Sequence, residues 1–214
     1  MNRMFAAFLV CTACLTADRA PAGSFFTGRS GISLRGSYWS AGGHETVIRT
    51  GYCCPGDERV EFGGGGGWIT FLAGVGERGA IEFSWGGLGR VKTVREGFSR
   101  EYTDVSGVMP VLIGFQWALF PDRNLSAFQP YLSAAGGPYV ASDVRVIERG
   151  FLSDEVTVSN RMLPGACAGA GAYFSISRWF ALHGEMRYHL VNMDPDHEHT
   201  GVELGLGAAF FWKR

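Results

Sequence analysis

The sequence predicts an all-β protein, an eight-stranded antiparallel up-and-down transmembrane β-barrel. Eight segments alternate between apolar and other side chains, and the connections between them alternate between long and short. Of the 214 residues, 32 are glycine and 14% are aromatic, as is typical of barrels built from many short strands. No internal apolar run reaches the roughly 18 residues that a membrane-spanning helix requires. The net charge is −1, so we expect no nucleic-acid partner.

The first 22 residues have the features of a secretory signal peptide. Arg3 forms a short positive region, residues 4–15 are apolar, and small residues allow cleavage after Ala17 or Ala22. We therefore expect residues 1–22 to be a signal peptide that is removed on export. Residues 23–214 are expected to form a single barrel domain.

The five cysteines fall into three groups. Cys14 follows Cys11 in a sequence that weakly resembles a lipoprotein box, so lipidation at Cys14 is left open. Cys53 and Cys54 are adjacent in a predicted loop, where a bridge between them would be strained. Cys167 lies among glycines and alanines and is expected to act as a small packing residue. After removal of the signal peptide three cysteines remain, and an odd number leaves at least one thiol unpaired.

The strands are predicted from period-two alternation. They are expected at residues 31–40, 68–75, 80–88, 108–120, 128–140, 163–174, 179–190 and 202–212. In the last of them Leu204, Leu206 and Phe210 share one face, and Glu203 and Gly205 share the other. An apolar face with terminal aromatic residues, backed by small or polar residues, is typical of a membrane-barrel strand.

The connections between these strands differ in length in a regular way. The long ones are expected at residues 41–67, 89–107, 141–162 and 191–200, and the short ones at 76–79, 121–127 and 175–178. Membrane barrels combine short turns at one end with longer external loops at the other. The five-glycine run at residues 63–67 is expected to be a flexible hinge at the end of the first loop.

The charged residues of the strands share one face, and this indicates which face of each strand points into the barrel. Charges without partners are very costly in a dry core, whereas charges that meet inside a barrel can pair. We therefore expect an interior polar network and an apolar, lipid-facing exterior. The predicted network residues are Arg35, Glu82, Glu185, Arg187 and Glu203. Six tryptophans near strand ends are expected to form interfacial girdles; they are Trp39, Trp68, Trp85, Trp117, Trp179 and Trp212.

Several short motifs resemble those of small outer-membrane β-barrel families of Gram-negative bacteria. The motifs are Leu34-Arg35-Gly36-Ser37-Tyr38, Phe128-Gln129-Pro130-Tyr131-Leu132 with Gly136-Gly137, Gly169-Ala170-Gly171-Ala172 and Leu182-His183-Gly184-Glu185-Met186-Arg187-Tyr188. The chain is similar over residues 31–212 to the Ail and Lom adhesin group and to the transmembrane domain of outer membrane protein A. Gly207, Phe210 and Trp212 resemble the C-terminal signal for the barrel-assembly machinery, although Lys213 and Arg214 follow it.

The resemblance implies an outer-membrane location, contact with outer-membrane lipid, and the barrel-assembly machinery as a partner during biogenesis. It also implies a structural or surface-interaction role through four external loops, with an extracellular partner whose identity is open. One alternative is a small-molecule passage barrel of the outer membrane protein W type, and another is a soluble lipocalin-like ligand-binding barrel. Both alternatives require an apolar interior. No cofactor is expected.

Two kinds of chemistry are considered and not favoured. Asp194, Asp196, His197 and His199 lie together in the fourth loop and are weak candidates for a divalent-metal site, but a solvated acidic loop is the favoured interpretation. The inward histidines of the seventh strand have no serine and acid in an obvious constellation with them. We therefore expect neither a metal site nor catalysis.

Overall fold

The protein, in a computed structural model, is a closed eight-stranded antiparallel barrel. The described residues are 26–41, 58–96, 100–120, 127–148, 155–194 and 199–213. The strands are β1 (Arg29–Ala41), β2 (Glu58–Val75), β3 (Gly79–Glu96), β4 (Arg100–Ala118), β5 (Phe128–Glu148), β6 (Glu155–Ser175), β7 (Phe180–Val191) and β8 (Gly201–Lys213). Each strand pairs with its neighbours in sequence, and β1 closes the barrel on β8. The predicted fold class is confirmed.

Side chains alternate between the exterior and the interior where the strands form the closed wall of the barrel. On β4, Ile113 is 66% exposed while its neighbour Leu112 is fully buried. On β1, Leu34 is 50% exposed and Arg35 only 5%. The exterior is thus apolar and the interior holds the charges, the reverse of a soluble ligand-binding barrel. Within the described ranges no helix is long and apolar enough to cross a membrane.

The five middle strands extend much farther than the alternation predicted. Strands β2–β6 have 18 to 21 residues, whereas β1, β7 and β8 have 12 or 13. Two of the four segments predicted as long loops, 89–107 and 141–162, are mostly paired strand, because valines at every second position continue the ladder. One row of outward valines crosses four strands, with Val91 opposite Val105, Val105 opposite Val144, and Val144 opposite Val158. The connection between β3 and β4 shrinks to residues 97–99.

These extensions form a raised sheet above the shorter part of the wall. Pairing of β1 with β2 ends at Trp39 and Gly64, and pairing of β6 with β7 ends at Gly165 and Val191. We call the parts of β2–β6 beyond these pairs the raised sheet. It lies at the end opposite the three short turns, which corresponds to the external side of a membrane barrel.

The five-glycine run is part of β2, so the predicted hinge at residues 63–67 is wrong. Gly66 lies opposite Leu88, and Gly67 lies opposite both Gly36 and Gly87. A Cβ atom on Gly66 would lie 2.3 Å from the Gly87 carbonyl oxygen. Glycine is therefore required here for close packing between strands.

Two of the six tryptophans point inward, which corrects the predicted girdle. Trp39 and Trp68 are 1% and 3% exposed, whereas the other four are between 47% and 60% exposed. Trp39 has the same parity as Arg35 on β1, and Trp68 has the same parity as Leu72 on β2, so each shares its neighbour's inward face. Position along a strand determines height in the barrel, but parity determines direction.

The interior is layered from one end of the barrel to the other. Near the short turns lies an aromatic cluster that includes Phe26, Tyr131, Tyr173 and Phe211. The outer half holds a second apolar cluster, which includes Trp39, Trp68, Leu112, Tyr139 and Val191. The inward residues of β7 pass through these layers from the short turns to the outer end of the barrel. In that order they are Ala181, His183, Glu185, Arg187, His189 and Val191. A charged layer therefore lies between two apolar layers.

Candidate functional site: the barrel interior and its outer mouth

The charged layer is a connected set of ion pairs. Arg35 pairs with Glu185 and, at 3.1 Å, with Glu203. Arg187 lies 3.0 Å from Glu82 and 2.7 Å from Glu185. None of the five side chains is more than 3% exposed. The structure thus brings together all five residues that the sequence predicted to line the interior.

Neutral side chains add hydrogen bonds to the carboxylates, while Oε1 of Glu82 has no hydrogen-bond partner among the described residues. Gln116 donates from Nε2 to Glu82 at 2.7 Å, and the Ser133 hydroxyl donates to Glu185 at 2.8 Å. The Tyr173 hydroxyl in turn donates to the Gln116 side-chain oxygen at 3.0 Å. Buried charges are tolerated when pairing and hydrogen bonding are this extensive.

His189 joins the charged layer to the outer apolar layer. Its Nε2 atom lies 2.8 Å from a Glu203 oxygen, and its Nδ1 atom lies 2.9 Å from the Tyr139 hydroxyl. The Trp68 ring stacks on the imidazole at a centroid distance of 5.6 Å. The same ring lies 5.2 Å from the Arg35 guanidinium carbon, within cation–π range. Trp68 therefore covers the network from the outer side.

Glycines on β6 and β8 make room for this network. A Cβ atom on Gly205 would lie 2.5 Å from Cδ of Arg35, and one on Gly169 would lie 2.8 Å from Cγ of Arg187. Gly205 occupies a place in the C-terminal motif where a polar residue is usual in the resembling families. The space that Arg35 takes up explains the glycine.

The network connects strands around the whole barrel. Arg35 comes from β1, Glu82 from β3, Glu185 and Arg187 from β7, and Glu203 from β8. An eight-stranded barrel is only wide enough for its own side chains. These pairs therefore fill the lumen and link non-neighbouring strands, and the arrangement acts as a plug.

A second polar cluster lies at the outer mouth. Nε2 of His199 lies 3.0 Å from the Ser106 hydroxyl and 3.3 Å from an Asp143 oxygen. The imidazole is fully buried and stacks on Trp39 at 6.4 Å, and Arg161 lies 3.2 Å from the other Asp143 oxygen. Sequence reasoning missed this cluster because its members are far apart in the chain and lie in segments predicted as loops.

The mouth cluster differs from a catalytic triad. In a triad the serine and the acid contact different ring nitrogens of the histidine. Here Ser106 and Asp143 contact the same nitrogen of His199. The contacts tie β4 and β5 to the segment before β8.

The proposed metal candidates are only partly described. Asp194 is exposed and accepts a hydrogen bond from Thr200 through its backbone oxygen at 2.7 Å. His199 is engaged in the mouth cluster, and Asp196 and His197 lie outside the described residues. No group of three or more metal-ligating residues occurs within the described ranges. The interpretation of this segment as a solvated acidic loop, favoured over a metal site, stays a prediction.

Of the five cysteines, only Cys167 falls within the described residues. It is a free thiol, 5% exposed, in the outer apolar layer. The predicted signal peptide, including Cys14, lies outside the described residues, as do Cys53 and Cys54.

Comparison with known proteins gives matches in structure alone. No sequence model of a protein family and no curated protein matches the chain. The outer membrane protein OprG of Pseudomonas aeruginosa aligns over 91% of this chain and 100% of its own, with a TM-score of 0.55 and 9% identity. Ail, the attachment invasion locus protein of Yersinia pestis, aligns over 86% of this chain and 99% of its own, with a TM-score of 0.48 and 13% identity.

Neisserial surface protein A aligns over 87% of this chain and 96% of its own, with a TM-score of 0.41 and 13% identity. At these identities the likeness concerns the fold, and the OprG alignment is the one that supports it. The apolar exterior independently requires an apolar solvent around the barrel. The chain therefore has the fold of the small eight-stranded β-barrels of the bacterial outer membrane.

Proposed function

We propose that this chain is a non-catalytic surface-interaction barrel whose raised sheet binds an extended segment of an extracellular protein. The observation that carries the proposal is the open edge of β6 above its last pair with β7, Gly165 with Val191. The filled lumen supports a surface role over small-molecule passage, because passage would require an open or apolar interior.

The backbone of β6 faces this open side at alternate residues. The Pro164 carbonyl accepts a hydrogen bond from the Asn192 amide at 2.7 Å, so Pro164 faces the β7 side. Successive residues of a strand direct their backbone groups to opposite neighbours. Met162, Asn160 and Val158 therefore direct both N–H and C=O toward the open side, where the described residues contain no pairing strand.

Three residues of this parity on β6 carry exposed apolar side chains. Val156 and Val158 are each 58% exposed, and Met162 is 71% exposed. An extended peptide that adds to a sheet edge gains main-chain hydrogen bonds, and alternate side-chain contacts give it specificity. Natural proteins usually protect long apolar edges from such pairing. An edge that combines a free ladder with exposed valines is suited to strand addition.

The test uses peptide display against the barrel reconstituted in lipid nanodiscs. Selection from a random-peptide library should enrich extended peptides with apolar residues at alternate positions. The double variant Val156→Lys/Val158→Lys should reduce their binding at least about tenfold, since charged edge residues oppose strand addition. The matched control, Val144→Lys/Val146→Lys, changes the same outward face one strand away and should bind normally.

The proposal fails if the selected peptides bind both variants equally, or if no peptide is enriched over empty nanodiscs. Equal loss in both variants would also contradict it, because the binding surface would then be the sheet face and not its edge.

A further inference from the structure

We propose that a groove in the outer wall of β1–β4 binds one acyl chain of an outer-leaflet lipid. The groove has a volume of about 640 Å³, within the roughly 300–1,000 Å³ range of small-molecule sites. It lies on the lipid-facing side of the wall, away from the β6 edge, so it is independent of the surface function proposed above.

The floor of the groove is a row of glycines in register across three strands. Gly36 lies opposite Gly67, and Gly67 lies opposite Gly87. A Cβ atom on Gly36 or Gly87 would meet nothing within 4 Å. In contrast to the crowded interior glycines, these two are therefore not required by packing within the barrel, and the space above them is open.

Large apolar side chains wall this floor. The next outward row toward the short turns is Leu34, Ile69 and Trp85, again directly opposite one another. Leu34 and Trp85 are 50% and 49% exposed, and Met109 at 50% borders the groove on β4. The row forms a step that closes the groove on the side nearer the centre of the membrane.

Toward the outer surface the floor of the groove is followed by a second row of glycines. The row above its floor contains Gly65, Gly89 and Gly107, which lie opposite one another on β2, β3 and β4. Tyr38, 54% exposed, flanks this row on β1. A chain that descends from the outer surface thus meets two rows of glycine beside a tyrosine and stops at the Trp85 step.

The chemistry of the walls selects an acyl chain. The groove is continuous with the lipid-facing exterior, and its outward side chains are aliphatic or aromatic, so a polar ligand would lose its hydration without gaining partners. A gap left unfilled forfeits the dispersion contacts of its lining. A tail in the groove contacts its floor, Leu34 and Met109 at once, whereas a tail on the flat wall contacts one surface.

The test counts motionally restricted lipid by electron paramagnetic resonance. The barrel is reconstituted in phosphatidylcholine bilayers containing phosphatidylcholine with a nitroxide near the end of one acyl chain. Gly36→Leu/Gly87→Leu fills the groove, and the added Cβ atoms meet nothing within 4 Å. The matched control, Ala134→Leu/Ala170→Leu, adds the same side chains to exposed outward positions on β5 and β6. Folding of each variant is checked by heat-dependent gel mobility.

We expect the groove-filling variant to restrict about one lipid fewer per barrel than the wild type and the control. If the double variant does not fold, Gly87→Leu alone should lower the population of motionally restricted lipid relative to the wild type. An unchanged restricted population in a folded variant would overturn the proposal. So would cross-linking that shows wild-type dimers joined at Trp85, because the groove would then seat a second copy.

Discussion

Arg35 is the cation shared by two buried carboxylates. It pairs with Glu185 and Glu203, and all three side chains are at most 3% exposed. Loss of Arg35 would therefore leave two buried carboxylates without this cation. Surface pairs of the same chemistry lack this dependence, because water solvates the remaining partner.

The variant Arg35→Met should lower the free energy of unfolding by about 3–5 kcal/mol. The measurement is equilibrium urea unfolding in lipid vesicles. Arg161→Met is the control, since the Arg161 and Asp143 side chains are 54% and 28% exposed, and its loss should cost about 0–1 kcal/mol. Equal effects of the two substitutions would show that the interior pairs are not the stabilising ones.

At this scale the alternation of residue types predicted direction but not partners. Glu185 and Arg187 were assigned to the interior because they alternate with Met186 on a clean period-two strand. The position of the Arg187 guanidinium carbon 5.9 Å from the Trp68 ring centroid was not predictable, because the pattern gives the face of a residue and not its height relative to other strands. The contact between Ser106 and His199 was not predicted either, because both residues lie in segments predicted as loops.

At the scale of the strand, β8 shows the lipid-facing alternation most directly. Leu206 is 77% exposed halfway along the strand, and Val202 is 39% exposed next to its outer end. Their neighbour Glu203 is buried. The depth of each outward position should therefore determine how well it tolerates a charge.

Leu206→Arg should cost about 2–4 kcal/mol of folding free energy, because it places a charge near the bilayer midplane. Val202→Arg should cost about 0–1 kcal/mol near the interface. The folding free energy of each variant is measured from its folded fraction after refolding into lipid vesicles. A reversed order, or full tolerance of Leu206→Arg, would mean that this face does not contact lipid.

The starts and ends of strands were less predictable than their faces. Glycine and turn-forming residues suggest that β2 begins near residue 68, but the strand continues through residues 63–67, where a Cβ atom on Gly64 or Gly66 would lie within 2.7 Å of a backbone oxygen of β3. Val144 and Val158 lie in a segment predicted as a loop, but they belong to β5 and β6. Pairing with neighbouring strands, which is a tertiary effect, determines where these strands end.

The whole molecule combines an apolar outside, a plugged inside and a raised sheet at its outer end. Two apolar layers enclose the charged one, and eight strands leave little room beyond the side chains. A closed lumen predicts that the purified protein does not conduct steadily. In planar lipid bilayers its current should stay near the baseline, and a stable open channel would contradict the plug.

The membrane assignment itself is tested most directly by gel mobility of cell-envelope fractions, with and without boiling. A barrel whose apolar face contacts lipid stays folded in detergent and migrates faster before boiling. The account predicts that the protein is found in the outer-membrane fraction and shows this heat-dependent shift. Recovery in the soluble periplasmic fraction, with the same mobility before and after boiling, would contradict it.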